Sequence, residues 1–192
     1  MCSSDLEISP HDPGKVYITL MRYKFGDLTP YIYRSANYGK SWSRLNRGMP
    51  NNIFARVVRE DPAREGLLYA GTENGIYISL DDGRNWQPFQ LNLPTVPITD
   101  LTIRNNDLVA STQGRSFWIL DDLTPLHQYS NRIKKSKMHF FNPRPSYRVS
   151  GSSSPSKTIG QNPPNGAVFH YYLKDKPNDK DKFSLEILDR KS

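Results

Sequence analysis

An eight-residue segment that returns after 44 residues constrains the fold of this 192-residue chain more than any other feature. Ser35-Ala36-Asn37-Tyr38-Gly39-Lys40-Ser41-Trp42 recurs as Ser79-Leu80-Asp81-Asp82-Gly83-Arg84-Asn85-Trp86, with Ser, Asn or Asp, Gly and Trp in matching positions. Each copy follows an alternating segment, residues 31–34 or 75–78, with the two-residue period of a half-buried strand. A third copy, residues 116–122, lies 40 residues after residues 76–82; it keeps the strand and loses the Gly and Trp.

The flanks repeat too. Asp12-Pro13 opens a turn into an alternating run through Thr19, Asp61-Pro62 does the same through Thr72, and Asn106-Asp107 leads a fainter version to Thr112. Further strands are expected at 54–59 and 98–103, with Pro50, Pro94 and Pro97 between units. Four short strands at a period of about 40 to 50 residues are the signature of a β-propeller blade. The expected fold is therefore all-β, with about three consecutive blades, the last degenerate. Gly (12) and Pro (15) are frequent enough to favour many turns over a helical bundle.

Between strands, the repeated residues have work of their own. The carboxylate of Asp81 or amide of Asn37 accepts hydrogen bonds from its own loop, Ser35 and Ser79 bond the same loop, and Gly39 and Gly83 supply a positive φ. Trp42 and Trp86 then begin the returning strand with a large apolar surface.

This arrangement resembles the Asp-box, or bacterial-neuraminidase repeat, Ser-x-Asp-x-Gly-x-Thr-Trp. Residues 56–62, 66–75 and 114–122 are similar to the last blades of large sortilin-like bacterial repeat proteins, often labelled glycosyl-hydrolase-like. The resemblance covers roughly residues 7–150. It implies the C-terminal blades of a longer propeller in a secreted or periplasmic protein, with the remaining blades as partners. Such boxes stabilise blades in sialidases, xyloglucan hydrolases, sorting receptors and photosystem assembly factors alike, so the motif speaks for the blade and not for a reaction.

The chain is accordingly divided into blades (7–126), an exit segment with short strands (127–149), a Ser/Gly/Pro linker (150–166) and the first strands of a truncated immunoglobulin-like β-sandwich (167–192). In that last part, 167–173 and 183–189 are expected as two strands around a polar hairpin at 174–182. The opening Met1-Cys2-Ser3-Ser4-Asp5-Leu6 looks like a translated adapter end, since the codons TGC TCT TCC GAT CT encode Cys-Ser-Ser-Asp-Leu, so residues 1–6 are read as non-native and the blades are counted from residue 7.

Charge argues against nucleic acid. The net +7 divides into 13 basic against 14 acidic residues up to 125, and 13 against 5 beyond it, where the cations are scattered among prolines and serines. No apolar run approaches the roughly 20 residues of a membrane span. The single cysteine, Cys2, excludes an internal disulfide and a Cys-rich zinc site, and His11, His127, His139 and His170 lack ligand spacing, so no metal or cofactor is expected. Asp81 and Asp82 lack the alternating oxygen ligands of a calcium loop.

Glycoside hydrolysis needs paired carboxyl groups roughly 5 to 9.5 Å apart. Glu60, Glu73 and Asp100 are the candidates, with Arg59 and Arg115 as substrate clamps; the competing reading pairs Arg59, Glu60 and Arg115 with one another or with backbone at blade junctions. Tyr31, Tyr33, Tyr38, Phe117 and Trp118 fit an aromatic ligand platform or blade packing. The leading function is a non-catalytic propeller scaffold that binds protein, peptide or glycan. The alternative is a fragment of a polysaccharide-active glycoside hydrolase, xyloglucanase- or sialidase-like.

Overall fold

The computed structural model describes residues 3–146, 166–178, 184–186 and 188. The chain divides into two compact units, Met1–Leu123 and Thr124–Ser192. The first holds three antiparallel sheets in succession. Sheet one is β1 (Ser3–Ile8), β2 (Val16–Arg22), β3 (Asp27–Ser35) and β4 (Ser43–Arg44); sheet two is β5 (Ala55–Glu60), β6 (Leu68–Thr72), β7 (Gly75–Ser79) and β8 (Gln87–Pro88). Both are meanders in chain order. Sheet three has β9 (Ile98–Arg104), β10 (Asp107–Thr112) and β11 (Phe117–Leu120), with no fourth strand among the described residues.

The first strands, β1, β5 and β9, stand beside one another from sheet to sheet. Each sheet can bury a face only against the next, so the middle sheet is covered twice and β6 is buried along its whole length. The outer sheets show the converse. On β1, Asp5 and Glu7 turn toward β5, and the two-residue period sends Leu6 and Ile8 to the opposite, exposed side. On β11, Phe117 and Ile119 are likewise exposed.

Tyr17, Ile32, Leu45 and Met49 of sheet one meet Val58, Leu68, Ala70 and Trp86 of sheet two in a buried cluster. Trp86 is its keystone: 4% exposed, with its indole N–H donating to the Leu45 carbonyl at 3.0 Å and its backbone N–H to the Arg47 carbonyl at 2.9 Å. The chain passes so close that a Cβ on Gly48, at φ 92°, would lie 2.2 Å from the Trp86 carbonyl oxygen. Trp42, the same residue of the first copy, is 43% exposed and fills no such place.

Several expectations need correction. The first sheet begins before residue 7: residues 3–6 belong to β1, which pairs with β2 through six residues, Ser3↔Met21 to Ile8↔Val16. The turn equivalent to Asp61-Pro62 is Ser9-Pro10, not Asp12-Pro13. The Ser9 hydroxyl accepts from the backbone N–H of His11 and Asp12 as the Asp61 carboxylate accepts from Ala63 and Arg64, and Ser9 N–H donates to Lys15 as Asp61 N–H does to Leu67. Sheet three replaces that turn by a two-residue hairpin, Asn105-Asn106, both at positive φ.

The second unit has two short helices, α1 (Thr124–Gln128) and α2 (Asn131–Lys135), ahead of the short strand in the segment expected as an exit with short strands. The Ser130 hydroxyl caps α2 by accepting from Ile133 N–H. Strand β12 (Met138–Phe140) pairs antiparallel with β13 (Tyr171–Leu173), so the strand expected at 167–173 is shorter and joins the exit segment rather than residues 183–189. Of that expected partner, residues 184–186 and 188 are not in a strand, and 183, 187 and 189 lie outside the described residues. So do residues 150–165 of the expected linker and 179–182 of the expected hairpin.

Because Trp86 fills the space between two sheets and Trp42 does not, Trp86→Ala should cost about 3–5 kcal/mol and Trp42→Ala less than about 1 kcal/mol. Urea midpoints of the two variants measure the difference, and equal midpoints contradict the assignment.

Candidate functional site

The two box turns are built alike. In the first, the Ser35 hydroxyl donates to Asn37 Oδ1 and accepts from Gly39 N–H at 2.9 Å, while Asn37 Oδ1 accepts from Ser41 N–H at 2.9 Å. In the second, Ser79 donates to Asp81 Oδ1 at 2.9 Å and accepts from Gly83 N–H at 2.9 Å, and Asp81 accepts from Asn85 N–H at 2.8 Å and Asn85 Nδ2 at 2.6 Å. Gly39 and Gly83 have φ of 80° and 78°, and the residues before them, Tyr38 and Asp82, are also left-handed.

Burial alone would raise the Asp81 pKa, but the bonds from Asn85 and Ser79, with the nearby Arg84 charge, hold it below the ordinary carboxylate value. A depressed folded pKa adds stability above the unfolded pKa, and that stability is lost as pH falls through the folded one. Asp81→Ala should therefore destabilise by about 1.5–3 kcal/mol near neutral pH, against about 1 for Asn37→Ala. The gap should close in acid, and urea melts at neutral pH and below the Asp81 pKa test both order and sign.

Asp82, the residue after Asp81 in the second turn, points away from its own loop toward sheet one. Its carboxylate accepts from Tyr17 OH at 2.5 Å and pairs with Arg34, and lies 3.9 Å from Lys15 Nζ. Lys15 is 5% exposed and reaches Glu60 Oε1 at 3.2 Å and Glu65 Oε1 at 3.0 Å. Burial pulls the Lys15 pKa down, and the surrounding Glu65, Glu60 and Asp82 carboxylates more than reverse it. Burial first, then the bond to Asp82, pushes the Tyr17 hydroxyl far up. Glu60 is buried as well; Oε1 also accepts from Gly66 N–H at 2.9 Å, and Oε2 has no hydrogen-bond partner.

Arg59 ties the three first strands together. From β5 it donates to Asp5 on β1 at 2.6 Å, to Asp100 on β9 at 2.8 Å and to the Leu101 carbonyl at 3.0 Å, with Glu7 at 3.8 Å. Glu7, pressed between β1 and β5, has a raised pKa because burial outweighs the Arg59 charge and the Glu60 N–H. Glu73 pairs with Arg56 at 2.7 Å, and Arg56 lies over the Phe54 ring. Arg115 takes part through its backbone: its N–H donates to Thr112 and its carbonyl accepts from Trp118 Nε1.

The structure thus places Glu60, Glu73 and Asp100 against three different cationic partners, Lys15, Arg56 and Arg59, and of the candidate set it pairs only Arg59 with Asp100. Lys15, Asp82 and Glu7 carry no motif signal. Their shared clue is a charged residue at an alternating or turn position next to a strand of the neighbouring unit. Tyr31 and Tyr33 stack in parallel with centroids 6.4 Å apart, and Arg44 covers Tyr31. Among the described residues, no cluster of three or more His, Cys, Asp or Glu could hold a metal, and no helix is long and apolar enough to cross a membrane.

Solved structures decide the architecture. A GH74 enzyme from Niastella koreensis superposes with a TM-score of 0.50 at 16% identity, over 63% of this chain and 21% of that one. The fold is a β-propeller fold. A GH74 xyloglucanase from Xanthomonas campestris (TM-score 0.47, 18% identity, 60% of this chain and 20% of that one) and YCF48 bound to a D1 peptide (0.37, 20%, 60% and 36%) are more distant likenesses. The chain spans about a fifth of the length of these GH74 enzymes. No family model matches it, and no curated protein does.

Because Lys15 is the shared cation of a buried cluster, Lys15→Ala should cost about 3–5 kcal/mol by stranding Glu60. Glu65→Ala, which removes a mostly exposed partner, should cost under about 1 kcal/mol. Paired urea melts separate the two, and similar losses contradict the cluster.

Proposed function

We propose that this chain is a non-catalytic part of a propeller scaffold belonging to a larger secreted or periplasmic protein of the sortilin-like, Asp-box kind. Its role is to present a surface to a protein, peptide or glycan. One observation carries the reading: the carboxylates suited to acid–base chemistry are each engaged by a neighbouring cation, two of them between sheets and one within sheet two. Glu60 lies against Lys15 in the sheet-one to sheet-two boundary, Asp100 against Arg59 across the first strands, and Glu73 against Arg56. A carboxylate whose oxygens are engaged by a neighbouring cation is not placed opposite a second carboxyl across a sugar, as a glycosidase acid is.

Glu7 favours the second reading, a glycoside hydrolase fragment, because a carboxyl raised by burial is what a general acid uses. Against it stands its setting between two strands, with Oε1 accepting from Glu60 N–H. A panel of aryl glycosides, including a sialoside, together with xyloglucan, tests the two. No turnover above a blank is expected from the full chain. Turnover abolished by Glu7→Gln, Glu60→Gln or Asp100→Asn gives the case to the hydrolase.

A further inference from the structure

We propose that the uncovered face of sheet one receives a preceding four-stranded sheet of the same polypeptide, one that presents apolar residues at the places of Lys15 and Arg34 and encloses the Trp42 indole. The proposal rests on the scaffold reading and names the neighbour of that scaffold.

Alternation along β2 marks the face. Tyr17 and Thr19 are fully buried toward sheet two, while Val16, Ile18 and Leu20 on the other side are only half-buried; β6, with a sheet on either side, is buried at every residue. Ile8 and Trp42, at 65% and 43% exposure, and half-buried Tyr33 complete the uncovered face. An antiparallel sheet with one face in water alternates to polar residues there, and this one does not. Each of these residues also has a counterpart on the face that sheet two turns toward sheet one. Ile8↔Val16 stands in register as Glu60↔Leu68 does, Ile18↔Tyr33 as Ala70↔Tyr77, and Trp42 holds the place of Trp86 in its box.

Two counterparts differ in chemistry, and the difference selects the occupant. Glu60 and Asp82 meet Lys15 and Arg34 of the preceding sheet. At their places sheet one has Ile8 and Tyr38, whose N–H donates to the Gly14 carbonyl as that of Asp82 donates to Gly66. A cation brought against Ile8 and Tyr38 would be buried without its carboxylate. The boundary of sheets two and three shows the apolar alternative: Leu67 and Ile78, at 0% and 1% exposure, hold the places of Lys15 and Arg34, and Ile103 holds that of Glu60. Sheet two also has the socket that Trp42 needs. Ile76, Phe89 and Leu93 stand 44 residues after Ile32, Leu45 and Met49, which receive Trp86, and Phe89 N–H donates to Ile76 and Leu93 N–H to Gln90 as Leu45 N–H donates to Ile32 and Met49 N–H to Asn46. The occupant is therefore a sheet of the sheet-two kind. Sheet three of a second copy does not fit, because Asp107 holds the place of Leu67 and, among the described residues, no fourth strand follows β11 to supply the places of Leu45 and Met49. A single peptide strand does not fit either, since the face runs from Ile8 on β1 to Trp42 in the turn between β3 and β4.

The test adds one unit to the full chain: a duplicate of residues 53–97 joined directly ahead of Ser3, as residues 53–97 themselves lead into sheet three. Trp42→Ala should then lower the urea midpoint at least about three times as much as it does in the 192-residue chain. A duplicate of residues 3–54 in the same position brings Lys15 and Arg34 to this face. It should give no such increase until Ile8→Glu and Tyr38→Asp are made together in the original sheet one, where φ 58° at residue 38 accepts Asp as φ 61° does at Asp82. A small Trp42→Ala effect in every chain, or an equal increase with either duplicate, overturns the proposal. So does a source gene whose reading frame ahead of codon 7 encodes no such unit, or one with Lys or Arg just before its box serine, the place of Ile78. Any of these outcomes without glycoside turnover overturns this face alone, whereas turnover overturns the scaffold reading whatever the midpoints do.

Discussion

The indole of Trp86 does for two sheets what neither can do for itself. A four-stranded meander of short strands has two faces and too little interior to cover them, so each must be closed by its neighbour. Trp86 brings the largest side chain in the alphabet to that boundary and satisfies its N–H on the carbonyl of Leu45, so the apolar gain carries no unpaired donor. The box turn exists to deliver it. Ser79, Asp81 and Gly83 close the loop by their own hydrogen bonds, so that residue 86 starts the returning strand at a fixed height and direction.

Around that apolar centre the charges act as a register. Lys15 of sheet one meets Glu60 and Asp82 of sheet two across their boundary, and Arg59 links all three first strands. Buried ion pairs of this kind add little net stability compared with apolar replacements, but stranding one partner is costly, so a slipped sheet would leave several charges buried and unmatched. The apolar cluster supplies attraction without direction; the ion pairs supply the direction.

Local physics was legible in the sequence, and long-range pairing was not. The alternation at 31–34 and 75–78, the Ser–Asp–Gly spacing and the missing Gly and Trp of the third copy each describe a few adjacent residues, and the strands and turns follow from them. The exposure of Trp42 beside the burial of Trp86 does not follow, because both sit in the same motif and differ only in whether a sheet stands on the far side. Glu60 and Asp100 look like chemistry in a sequence; only three-dimensional neighbours reveal that Lys15 and Arg59 already hold them. The turn at Ser9-Pro10 was hidden because Ser can do the work of Asp61, and Asp12-Pro13 offered a closer match in letters than in hydrogen bonds.

A repeat that satisfies itself leaves little unspent. Where the pattern is complete, in the second copy, Ser79, Asp81 and Gly83 bond within their own loop and Trp86 fills the space against the preceding sheet. Departures from the pattern show which parts of it the fold can do without. In the third unit the socket residues Ile76, Phe89, Leu108 and Ala110 are retained while the indole that fills their counterparts is gone, and the strand that would cover β11 is replaced by a helix. The walls are nonetheless buried, Ile76 at 6%, Leu108 at 2% and Ala110 at 3% exposure, so the loss of the indole does not leave them open to water, and the fold tolerates a degenerate unit at this boundary.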